Sequence, residues 1–232
     1  FFFFFFPDVP AIDKEFDYLI PLAWDRDGRG PRVVIGSMVR VPLAGRRVAG
    51  WVTAVDIEPE PGVGLVSLAQ LSGMGPTPEL IELAEWSAWR WAGPRVTFLR
   101  AASPSRMVAA PVKPPPRRPV PSGPRDVFDQ AFELDSAVVR VPPADDGVAV
   151  ALAACRLGDA LILVPDVSRA RRLALALKRA GVRTALAPDD WAIAAGGATV
   201  VGTRSAAWMP MPELAAVVVI DEHDERFKDE RT

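Results

Sequence analysis

Residues 198–224 read ATVVGTRSAAWMPMPELAAVVVIDEHD. Two apolar runs, 198–201 and 215–220, flank a connection rich in proline and small residues. Neither run alternates polar with apolar, so each reads as a strand covered on both faces, the habit of parallel sheets. Towards the amino terminus, runs of the same kind recur at 182–186, 160–164 and 137–141. Helical stretches lie between them, such as 168–180, which Gly181 closes as a C-cap. Strand and helix in alternation predict a doubly wound, parallel α/β layer over 131–232.

Upstream the rhythm changes. Residues 106–130 form a proline-rich stretch whose basic side chains are Arg106, Lys113, Arg117, Arg118 and Arg125, with no acid before Asp126. Such a segment buries too little apolar area to fold and is expected to be an extended linker. Over 8–105, short strand-like runs return. FDYLIP at 16–21 is an aromatic strand stopped by proline, and 37–57 alternates around a Pro-Leu-Ala-Gly turn in the manner of a hairpin. A third strand candidate covers 65–71. Thr77, Pro78 and Glu79 then supply an N-cap, a first-turn proline and an acid at the positive dipole end. Leu80, Leu83, Ala84, Trp86 and Trp91 give that helix its apolar face. A small barrel-like sheet with one or two packed helices follows.

The first six residues are all phenylalanine. They lack the basic start and small-residue cleavage site of a signal peptide, and would be an aggregation hazard unless paired in a sheet. They enter no expected element. The 232 residues carry a net charge of −2, so no general positive field points to nucleic acid, and any DNA binding would need a local patch or a shaped pocket. One cysteine, Cys155, and one histidine, His223, exclude an intrachain disulfide and a cysteine-cluster metal site, and suit a reducing cytoplasm. No apolar run approaches the roughly 20 residues of a membrane span.

In open α/β sheets, sites gather at the carboxyl ends of strands. The run 215–220 delivers Asp221, Glu222, His223 and Asp224 to such an end. An apolar strand ending in Asp-Glu resembles the Walker B element of nucleotide-driven motors, where the aspartate holds Mg²⁺ and the glutamate orients water. An acidic strand end opening a solvated loop gives the same pattern. A phosphate-binding loop after 137–141 would settle the choice, since it needs GxxxxGK[ST]. The residues there are Pro142, Pro143, Ala144, Asp145, Asp146 and Gly147, and no lysine occurs between Lys113 and Lys178. Two prolines remove amide donors and two aspartates repel a triphosphate, so binding of ATP or Mg²⁺ is not expected.

Four segments together carry a resemblance: DKEFDYLIP at 13–21, VRVPLAGRRVAGWVTAV at 39–55, ILVPDVS at 162–168, and VVGTRSAAWMPMPELAAVVVIDEHDERFKDE at 200–230. In this order they resemble primosomal protein N′, the PriA family of replication-restart helicases, in a degenerate, actinobacterial-type form without the Walker A loop. The resemblance implies a 3′-end DNA-binding domain over 8–105 and an incomplete RecA-like helicase lobe over 131–232. It further implies that the chain is the front portion of a longer protein, whose zinc-binding cysteine pairs and second helicase lobe lie beyond Thr232. The family's winged-helix domain has no room between the two regions.

Carried over residue by residue, the 3′-end pocket comprises Phe16, Asp17, Tyr18 and Gly36, while a lysine of the family falls on Val66. Phe16 or Tyr18 would offer a stacking face, although β-sheet core explains both equally well. Arg40, Arg46 and Arg47 would hold nearby phosphates, and Asp221 with Glu222 would be an inactive Walker B pair. The function implied is a cytoplasmic, nucleoid-associated primosome-assembly scaffold. It would bind branched DNA with a free 3′ end together with other replication proteins, away from membranes. An active 3′–5′ helicase with an unusual phosphate loop is the alternative, and an interaction module that has lost DNA binding is a third.

Overall fold

The computed structural model describes residues 1–59, 64–114, 127–142 and 144–228. Two compact units emerge, Phe1–Ala110 and Pro111–Thr232. Of the expected linker, 106–110 falls in the first unit, while 111–114 and the helix Val127–Ala131 (α4) fall in the second. Arg117, Arg118 and Arg125 lie outside the described residues.

The first unit is a curled six-stranded half-barrel. Its strands are β1 (Phe2–Pro7), β2 (Phe16–Leu19), β3 (Met38–Leu43), β4 (Arg46–Val55), β5 (Val66–Ser67) and β6 (Gln70–Gly73), ordered β5-β2-β1-β4-β3-β6. The phenylalanine run is therefore an interior strand, paired antiparallel with β2 and β4. Phe3 and Phe5 are fully buried in the barrel with Tyr18, Val39, Val41 and Val52. Phe6 is buried against β4, where Trp51 pairs with it. A strand covered on both faces has no need of alternation.

The β3–β4 hairpin turns through Ala44 and Gly45, both with positive φ, the two-residue geometry that matches strand twist. The third strand candidate is divided, because its chain crosses from one edge of the sheet to the other. Leu68 donates its amide to the Leu19 carbonyl and the next amide, of Ala69, donates to Arg40, so the curl brings the two edges together. Inside this seam the Tyr18 hydroxyl donates to the Pro42 carbonyl at 2.6 Å. A short helix, α1 (Ala23–Arg26), follows β2. After β6, α2 (Pro78–Trp91) begins at the expected proline and packs on α3 (Arg95–Ala102).

The second unit is a four-stranded, wholly parallel sheet. Its strands β7 (Asp159–Leu163), β8 (Thr184–Leu186), β9 (Thr199–Gly202) and β10 (Leu214–Val219) take the order β10-β7-β9-β8. Helices α5 (Val148–Leu157) and α6 (Val167–Arg179) bury an alanine- and leucine-rich core against it. The short helix α7 (Trp191–Ala195) follows β8. One expectation fails. Residues 137–141 form no strand, Val138 is 93% exposed, and β10 is left as an edge. Apolar content alone did not make this run a strand: the polar pair Asp135-Ser136 precedes it, Arg140 interrupts it and proline follows it.

Candidate nucleic-acid interface

The residues expected at a 3′-end pocket sit on the half-barrel, but in different roles. Phe16 and Tyr18 point to the core side of β2, as alternate residues of a strand must. Phe16 is half-buried, and the Lys14 ammonium stands 5.5 Å from its ring centre. Tyr18 is buried, stacks near Phe3 and meets Phe5 edge-on. Its ring therefore offers no face to a base, and burial pushes its phenol pKa up. Asp17 alternates with these two and occupies the other face of β2, partly buried beside Phe4.

Gly36 lies in the same row of the sheet as Phe16. Phe16 pairs with Phe5, Phe5 with Val52, and the Val52 carbonyl accepts the Gly36 amide at 2.7 Å. Gly36 has φ +86°, and a Cβ there would sit 1.7 Å from the Pro76 carbonyl oxygen. Gly75 is also closely held, since a Cβ there would sit 2.5 Å from the Gly36 carbonyl oxygen. The loop before α2 thus crosses the start of β3 backbone against backbone, and glycine at 36 is required by that crossing whatever it binds. Val66, where the family resemblance has a lysine, is exposed on β5 beside Tyr18.

The positive charge is on the hairpin. Residues 28–55 contain Arg29, Arg32, Arg40, Arg46 and Arg47 and not one acid, a local reversal of the chain's net negative charge. Arg40 and Arg47 stand on the outer face of β3 and β4 as diagonal neighbours, Arg40 opposite Ala49 and Arg47 opposite Pro42. Arg46 flanks the turn. All three are exposed and form no ion pair among the described residues. Around the seam, Arg40 is two strand spacings from Leu19, about 10 Å. The outer surface therefore runs continuously from Asp17 and Leu19 to the arginines.

The second expected site is rearranged. Asp221, at φ +54°, lies two residues past β10 and forms an ion pair with the Arg169 guanidinium of α6. Glu222 and His223 are exposed, and Asp224 caps a short turn by accepting the Arg226 amide. Asp166 accepts the Arg169 amide at 2.8 Å and faces Arg226, which together hold its carboxyl below the usual range.

Gly147 packs on Ile220, next to Asp221 in sequence, so the start of α5 lies near this strand end. Its first two amides are already used. Gly147 donates to Asp145 at 2.7 Å and Val148 donates to Asp146 at 2.9 Å. Helix-start amides of the kind that cradle phosphate meet the chain's own carboxylates here. Among the described residues no group of three or more metal-ligating side chains converges, and no helix is long and apolar enough to cross a membrane.

Residues 7–104 match the family described as the 3′DNA-binding domain (3′BD) of PriA. Over 96% of its length the chain is 28% identical to the probable replication restart protein PriA of Mycobacterium leprae. It is 30% identical, over the same share, to those of Mycobacterium tuberculosis and Mycobacterium bovis. The chain spans 39% of the length of each of these relatives.

Proposed function

This is a PriA-like protein, and on that premise we propose that its half-barrel binds branched DNA with a free 3′ end as part of replication restart. The match of residues 7–104 to the 3′DNA-binding domain carries the reading. The acid-free arginine hairpin supports it. Arg40, Arg46 and Arg47 hold phosphates and Phe16 offers the edge of a stacking surface. Asp17 meets a sugar hydroxyl or a base edge, because a carboxylate facing phosphates would be repelled. The protein acts in the cytoplasm, at the nucleoid, alongside other replication proteins.

The second unit is then a helicase lobe of RecA-like ancestry that binds no ATP and serves primosome assembly as a scaffold. Asp145 and Asp146 on the α5 amides support this, as does Arg169 on Asp221. One observation favours the alternative of a working 3′–5′ helicase: Gly147 still packs beside the strand end that carries Asp221 and Glu222. DNA-stimulated ATP hydrolysis by the full-length protein, abolished in Glu222→Gln, would establish the motor and remove the scaffold.

For the DNA reading, binding is compared on forks ending in a 3′-hydroxyl and in a 3′-phosphate. The hydroxyl end is expected to bind more tightly, and Asp17→Ala to erase the difference while keeping general affinity. Equal binding of both ends by the unmutated protein would mean that Asp17 reads no terminus.

A further inference from the structure

The outer face of α2 carries an aromatic surface that neither the sheet core nor the arginine hairpin uses. Trp86, Trp89 and Trp91 are 49%, 77% and 60% exposed, with Leu83 beside them. Trp86 and Trp91 meet edge-on at 5.4 Å and Trp91 lies 6.4 Å from Phe98, so the rings form one strip. Trp89 follows Trp86 at i+3 and so stands beside it on the helix surface, and exposed indoles grouped in this way form an apolar patch of the kind that marks an interaction site.

The patch is bordered by carboxylates. Glu79 and Glu82 stand on the same helix and form no ion pair among the described residues, and Glu85 is largely exposed although it touches Arg95 at 3.4 Å. Arg90 is the one cation of the helix, and among the described residues it makes neither an ion pair nor a ring contact. Elsewhere in this unit, arginines sit between an aromatic face and a carboxylate. Arg29 lies 4.4 Å from the Trp24 ring and pairs with Asp27 at 2.6 Å. Arg95 lies 5.1 Å from the Phe6 ring and pairs with Glu15 at 2.8 Å. The outer face of α2 offers the same two kinds of partner, indole and carboxylate, with no guanidinium between them.

We infer that this face docks an arginine-bearing segment of a protein partner, its guanidinium groups stacked on Trp86 and Trp89 and paired with Glu79 and Glu82. Phosphate is the wrong charge for this border, which sets the patch apart from the DNA surface. Guanidinium suits it better than ammonium, being planar, weakly hydrated and able to stack and pair at once.

The test uses the whole chain and a fluorescein-labelled synthetic peptide of alternating arginine and glycine, followed by fluorescence anisotropy. Two further peptides replace arginine by lysine or by glutamate, and unlabelled oligothymidylate serves as a competitor. Trp89→Ala and Glu82→Gln are both surface changes, and each is expected to weaken arginine-peptide binding about fivefold. The lysine peptide should bind more weakly than the arginine peptide, and the glutamate peptide not at all. Unchanged affinity in Trp89→Ala would overturn the inference. So would displacement of the peptide by oligothymidylate, or a dimer of the free chain that Trp89→Ala dissociates, since nucleic acid or a second copy would then be the occupant.

Discussion

Replacing Gly36 by alanine separates the backbone role of that position from any role in binding. Two costs are expected. The left-handed backbone, φ +86°, costs an L-residue about 1–2 kcal/mol. The new methyl would stand 1.7 Å from the Pro76 carbonyl oxygen, which is backbone and must move by more than an ångström. Overpacking of this kind adds about 1–3 kcal/mol, so Gly36→Ala should lose roughly 2–5 kcal/mol.

Gly45→Ala is the control. It has a similar φ, +75°, but nothing within 4 Å of the added carbon, so only the first cost applies. Native-state hydrogen exchange of the Gly36 and Val52 amides in the full chain reads both variants locally, since these amides hold β4 to the start of β3. Their opening free energy should fall by about 1–2 kcal/mol in Gly45→Ala and clearly further in Gly36→Ala. Equal losses would refute the backbone crossing as the reason for glycine at 36.

Phe5→Ala removes a fully buried ring from the half-barrel and should cost about 3–5 kcal/mol, measured as a lower urea midpoint for the first unit. Arg40, Arg46 and Arg47 changed together to alanine should flatten the slope of log K against log salt by about 0.7–0.9 for each phosphate no longer neutralised, with the 3′-hydroxyl preference retained. An unchanged slope would place the phosphates elsewhere. Asp166 is held below the ordinary carboxylate range, chiefly by the Arg169 amide, so its charged form favours the folded state. That contribution is complete above about pH 4 and is lost as pH falls through the lowered folded value. Asp166→Asn should therefore flatten the acid limb of the stability profile of α6, followed by hydrogen exchange.

How much could be read from residues alone depended on whether a segment's neighbours are implied by its own pattern. The four strands of the parallel sheet were legible, because two-sided burial leaves continuous apolar runs. The run 137–141 has nearly the same composition, yet it lies outside the sheet: apolar content does not say whether a pairing edge is within reach. The phenylalanine strand escaped notice for the opposite reason, since six identical residues have no period to read. Phe16 and Tyr18 are alternate members of one motif on the same side of β2, and only the curl, by aiming the Tyr18 hydroxyl at Pro42, separates a half-exposed ring from a core one. The aspartates before α5 were legible as obstacles to phosphate, but not as acceptors of the Gly147 and Val148 amides. The α2 helix was expected with Trp86 and Trp91 on its apolar face, whereas both are largely exposed and its core face is Leu80, Ile81, Ala84 and Ser87.

The seam at Leu68 and Ala69 bears on how the half-barrel keeps its alignment. An open ribbon of strands can slide by a residue at either margin, and each slide turns a side chain from inside to outside. Here consecutive amides grip opposite margins, Leu68 on Leu19 and Ala69 on Arg40. A slip on one side would have to be matched at once on the other, or one of the two bonds breaks. The dipeptide thus works as a pawl, fixing both margins against each other and leaving little free rim for a stray strand to join.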